Sequence, residues 1–116
     1  MGIYRLYTGK DGESHVEDLP LREGSPLAAL TPTAGIQFRE TPAGNFLDWH
    51  PAPRRQWVII LSGELEIGPG DGTLRRFGPG DARLVEDTTG HGHTTRVVGA
   101  RPCVMAYVPL APGAGP

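Results

Sequence analysis

The sequence predicts an all-β domain, and three observations carry that prediction. Its 116 residues include 17 Gly and 12 Pro, and the longest stretches free of both, Arg54 to Ser62 and Asp81 to Thr89, run nine residues each. A typical helix of about 11–12 residues has no place to form between such breakers. Between the turn residues lie short segments rich in Val, Ile, Phe, Trp and Tyr, which is strand composition. Disorder is excluded by a net charge of only −2 together with 26 residues of Leu, Ile, Val and Phe, enough to build a core. At this length the chain is one domain.

The elements follow in order. Ile3–Tyr7 is a first strand, Gly9-Lys10-Asp11-Gly12 a turn and Ser14–Asp18 a second strand. Pro20 to Pro32 holds enough breakers to make residues 1–34 an N-terminal arm that packs on the barrel or on a partner subunit. From residue 35 strands come at short intervals: Gly35–Glu40, Phe46–Trp49, Arg55–Leu61, Glu64–Ile67, Thr73–Phe77, Ala82–Glu86, Thr94–Val98 and Cys103–Val108. Ser62-Gly63, Gly68-Pro69-Gly70-Asp71-Gly72 and Gly78-Pro79-Gly80-Asp81 supply the turns. The pattern is that of a barrel or sandwich over residues 35–110, with 111–116 a flexible tail.

Alternation assigns faces. In Gln56-Trp57-Val58-Ile59-Ile60-Leu61, Gln56, Val58 and Ile60 share one side and Trp57, Ile59 and Leu61 the other. A strand apolar on both sides needs cover on both, which predicts a second sheet inside and the arm or another subunit outside, hence a homodimer. Cys103, the single cysteine, excludes an internal disulfide and a thiolate zinc cluster, and its apolar run makes it a small buried hydrophobe. Charge is balanced and no Lys/Arg cluster interleaves with aromatics, so nucleic-acid binding is not expected. No apolar run approaches the ~20 residues of a membrane span, and the N-terminus lacks a signal-peptide layout. The expectation is a cytoplasmic protein with no membrane partner.

Asp48-Trp49-His50-Pro51-Ala52-Pro53-Arg54-Arg55-Gln56, then Leu61-Ser62-Gly63-Glu64-Leu65, then Gly78-Pro79-Gly80-Asp81 with His93 behind it, resemble the cupin superfamily. Within it, the chain looks like the short single-domain bacterial cupins. The resemblance covers nearly half the chain and implies a jelly-roll-type β-barrel with a small molecule inside. It also implies a divalent metal held by His-x-His, Glu and a later His. Here Asp48 stands at the first His position, His50 matches the second, Gln56 stands at the Glu position and His93 matches the last, so the metal motif is degenerate.

Chemistry weighed by residue type agrees in part. Asp48 and His50, two apart on an extended segment, point the same way, and a His from a neighbouring strand completes a two-His, one-carboxylate set suited to Fe(II), Mn(II), Ni(II) or Zn(II). Gln56 adds a neutral oxygen. Open coordination positions would serve oxygenase, isomerase or lyase chemistry. The alternative is a metal-free polar pocket in a binding or sensing module, and a third reading has the fold acting through a dimer surface at Ile59. His15 is a candidate substrate contact or a surface histidine, and His91 reads as an exposed loop residue. Trp57, with Trp49, lines a pocket or packs. Arg55, with Arg54, clamps a substrate carboxylate or bridges to Glu86, Asp87 or Glu64. Glu86-Asp87-Thr88-Thr89 reads as a solvated loop bonding its own backbone.

Overall fold

The computed structural model describes residues 1–114, so the last two residues of the expected tail lie outside it. Ten strands form, each where the sequence predicts one, with ends that differ by one or two residues. They are β1 (Ile3–Thr8), β2 (Ser14–Asp18), β3 (Gln37–Thr41), β4 (Phe46–His50), β5 (Gln56–Ser62), β6 (Glu64–Gly68), β7 (Arg75–Phe77), β8 (Ala82–Val85), β9 (His93–Val98) and β10 (Cys103–Pro109). The arm between β2 and β3 holds a single 3-10 turn, Pro26–Ala28, whose Leu27 N–H donates to the Ser25 hydroxyl. Among the described residues no helix is long and apolar enough to cross a membrane.

The strands form two sheets, one of order β2-β1-β8-β5-β10-β3 and one of order β4-β9-β6-β7. This is a jelly-roll arrangement, and β1 and β2 are part of its larger sheet. β1 runs parallel to β8, with Ile3 opposite Ala82 and Leu6 opposite Val85, while all other ladders are antiparallel. The chain passes from one sheet to the other between β5 and β6. Gly63 makes that corner with φ +82°, and a Cβ there would stand 2.4 Å from the Pro102 carbonyl oxygen, so a side chain is excluded.

The faces follow the alternation. Gln56, Val58 and Ile60 are buried while Trp57 and Ile59 are half-buried and Leu61 is exposed, so the first set points between the sheets. There they meet Leu6, Leu65, Ile67, Phe77, Val85, Val97, Cys103 and Met105. Cys103 is wholly buried, and burial pushes its thiol pKa up, as suits an inert core residue. β3 and the first four residues of β4, at the sheet edges, are largely exposed, leaving Phe38, Phe46, Leu47 and Trp49 in contact with solvent.

Candidate functional site

His50 and His93 are brought together by register. β4 pairs with β9 so that His50 lies directly opposite His93, with ring centroids 4.8 Å apart. Directly opposite residues share a face, so the two imidazoles stand side by side. The placement depends on Gly92, whose φ is +80° and whose missing Cβ would lie 2.1 Å from the carbonyl carbon and oxygen of His50. The Gly90-His91-Gly92 run is therefore what lets β9 start against the end of β4.

Each imidazole is oriented through Nδ1. His50 Nδ1 is 2.7 Å from the Asp48 carbonyl oxygen, which can only accept, so Nδ1 donates and Nε2 is left free of that bond. His93 Nδ1 is 2.5 Å from Asp87 Oδ2, and the same oxygen accepts from the Ser14 hydroxyl at 2.6 Å. Asp87 and Ser14 are wholly buried and His93 is 5 % exposed. Asp87 thus ties β2 of one sheet to β9 of the other, and its Oδ1 has no hydrogen-bond partner. The solvated loop expected at Glu86–Thr89 is corrected here, because the Asp87 carbonyl accepts from the Ala52 N–H and its side chain turns inward. Neither Asp87 nor Ser14 sits in a ligand-like spacing, so the sequence suggests a loop or ion-pair role for Asp87 and only a strand position for Ser14; a buried carboxylate is revealed by its partners, not by its neighbours in sequence.

The other expected site residues are placed as follows. The register shifts between Leu47 and His50, which breaks the strict alternation that would align Asp48 with His50. The Asp48 carboxylate instead accepts from the Trp49 N–H, in an exposed position. Gln56 is buried, and its amide oxygen accepts from Arg54 Nε at 3.2 Å. Arg55 is on the Glu86 carboxylate at 2.6 Å and also donates to the Ala114 carbonyl, so the structure uses it as an ion pair. Trp57 lies between Leu84 and Val108 on the outer face of the six-stranded sheet. His15 bonds both oxygens of Asp11 at 3.0 Å, and that bond holds the Asp11 carboxyl below its ordinary pKa. His91 stacks on Trp49 with centroids 4.0 Å apart and reaches Glu13 at 2.9 Å. His15 and His91 are both engaged with carboxylates of their own.

This donor set does not fit the metal site that the fold family implies. Among the described residues no three His, Cys, Asp or Glu side chains surround a common point. The Asp48 carboxylate is turned away, and the Gln56 oxygen already faces the Arg54 cation, which opposes a divalent ion there. A cavity of about 590 Å³ lies on the outer face of the six-stranded sheet, lined by Arg5, Leu19, Arg22, Leu27, Leu84 and Glu86 among others. Its Arg5 and Glu86 already bond each other at 2.6 Å, so its size is not matched by unmet chemistry. The unmet groups are between the sheets.

No protein-family model matches this sequence, and no curated protein does. Several solved structures do match. A conserved protein of unknown function from Streptococcus pyogenes superposes with TM-score 0.52 at 26 % identity, over 67 % of this chain and 64 % of that one. The chain therefore spans less than two thirds of the streptococcal protein. An uncharacterized conserved protein with a double-stranded β-helix domain from Klebsiella pneumoniae gives TM-score 0.52 at 22 % identity, over 69 % of each chain. An RmlC-like cupin protein from Desulfovibrio desulfuricans aligns at TM-score 0.47 and 17 % identity, over 82 % of this chain and 97 % of that one. With two facing sheets, a glycine corner between β5 and β6, and a double-stranded β-helix neighbour, this chain has a double-stranded β-helix fold of jelly-roll type, the fold that the cupin resemblance of its sequence implies.

Proposed function

We propose that the barrel binds a small molecule against the His50–His93 pair without a resident metal, as a binding or sensing module. The observation that carries the reading is the donor set: two oriented imidazoles, each with a free Nε2, beside a carboxylate that has turned away and an amide already bonded to Arg54. Two imidazoles with free Nε2 atoms suit the polar groups of a small ligand. The same orientation through Nδ1 is also what metal-ligating histidines use, and it is the specific feature that favours the second reading, a divalent-metal-dependent enzyme of oxygenase, isomerase or lyase type. The half-buried Trp57 and Ile59 and the exposed Leu61 support a homodimer packed through the outer face of β5.

Elemental analysis of tag-free protein, beside the His50→Ala/His93→Ala double variant, tests the choice. The binding-module reading expects no stoichiometric metal and a melting temperature unchanged by EDTA or by added Fe(II), Mn(II), Ni(II) or Zn(II). Near-stoichiometric metal that disappears in the double variant overturns it and establishes the metal-dependent reading.

A further inference from the structure

Arg83 is a cation in the wrong place for a surface residue. On β8 it lies opposite Tyr4 of β1 and Val58 of β5, and the row continues to Tyr107 of β10. Val58 is 3 % exposed and Arg83 5 %, so this row faces the space between the sheets. The guanidinium reaches across that space to within 5.3 Å of the centre of the Phe77 ring on the opposite sheet. Tyr4 meets the same ring edge-on, with centroids 5.0 Å apart.

What the guanidinium lacks is an anion. None of the ion pairs among the described residues includes it, and its Nε is buried with no hydrogen-bond partner. Arginine is almost never fully buried unpaired, because the desolvated charge is strongly unfavourable without a partner. Burial lowers the Arg83 pKa to about 10, with Tyr107, Cys103, Asp87 and Asp81 offsetting part of the effect. The ring of Phe77 is a weak partner for a desolvated cation beside what a carboxylate would give. Asp87 Oδ1 is a second orphan, of opposite sign, in the same interior.

We infer that the barrel takes a small monocarboxylate, its carboxylate seated on the Arg83 guanidinium and its body against the wall that Phe77 and Tyr4 form. The inference rests on the small-molecule reading above and names its ligand class. The planar fork of Arg matches the two oxygens of a carboxylate. A single buried guanidinium balances one negative charge, whereas a phosphate dianion would need a second cation beside it.

The test is a thermal-shift and calorimetric titration of the full chain with acetate, pyruvate and benzoate, against acetamide, benzamide and inorganic phosphate at constant ionic strength. It is repeated on Arg83→Met, Arg83→Lys and His50→Ala/His93→Ala. The expected result is saturable stabilisation by at least one carboxylate, at least tenfold weaker binding of its uncharged counterpart and of phosphate, and at least tenfold weaker binding to Arg83→Lys, which keeps the charge but loses the fork. Arg83→Met should fold at an equal or higher melting temperature and show no response. Blindness of the wild type to every carboxylate overturns the inference, and a lower melting temperature in Arg83→Met then makes the guanidinium a brace between the sheets. Binding of an amide that needs the histidines but not Arg83 overturns the carboxylate and leaves the barrel reading standing. Carboxylate binding that needs Arg83 but not the histidines keeps the carboxylate and removes the histidine pair from the site.

Discussion

Glu86 and Asp87 are neighbours in the chain and carry the same group, and they meet opposite fates. Glu86 turns to the outer face, where Arg5 and Arg55 each donate to one of its oxygens at 2.6–2.7 Å. Both guanidiniums are more than a third exposed, so the pairs are screened by solvent. The Glu86 hydrogen bond raises the pKa of Arg5, with partial burial working against it. Asp87 turns inward, is wholly buried, and receives only a hydroxyl and an imidazole, leaving one oxygen bare. A carboxylate that only holds the fold together can be neutralised by the nearest arginines. One that orients a histidine must be fed by directed donors, and it must sit where water does not compete.

Five substitutions test this contrast. The largest effect is expected from Gly92→Ala, which sets a Cβ into the His50 backbone at a positive φ and pulls His93 from both His50 and Asp87; a loss of about 4 kcal/mol or more, read by denaturant melts, is expected. Asp87→Ala should cost about 3 kcal/mol, because it leaves Ser14 and His93 buried without their acceptor. If it proved as mild as a surface change, the inner carboxylate would have no special role. Arg83→Met should stabilise at pH 7, by something below the roughly 3 kcal/mol that a drop from the ordinary arginine range to about 10 represents. The sign is set by linkage: a base whose folded pKa is depressed binds fewer protons folded than unfolded, so wild-type stability gains as pH rises above about 10. The gap between variant and wild type should therefore narrow above about pH 10, and a constant gap would argue against the buried charge as its cause.

Glu86→Gln should cost about 1 kcal/mol, since both of its partners are more than a third exposed to water. Asp11→Asn, at an exposed carboxylate on His15, should leave the melting temperature unchanged at neutral pH. A large loss at either position would mean that the outer ion pairs, and not the inner network, fix the N-terminal strands.

The strands were legible because glycine and proline mark their ends and alternation marks their faces, as Gln56, Val58 and Ile60 illustrate. His50 and His93 were legible through the cupin resemblance, which places them on converging segments. What escaped was set by partners distant in sequence. Nothing near Ile3 says that it will lie parallel to Ala82, and nothing in Glu86-Asp87-Thr88-Thr89 says which carboxylate is covered by Ser14, 73 positions earlier. Asp48 was misaligned by a register shift between β4 and β9 that its own neighbours do not encode. Arg83, between Ala82 and Leu84, looks like an ordinary outward charge until the ladder with Val58 shows its direction.

The parallel β1–β8 ladder also sets a timetable for folding. β1 is made first and cannot find its neighbour until β8 follows almost eighty residues later, so the middle of the large sheet closes over a long loop. Until then β1 and β2 can form only their own hairpin, which is marginal in water by itself. A nascent chain therefore carries an open, half-apolar edge from the time β1 is made until β8 follows it, and its refolding should fall at the slow end for a domain of this size.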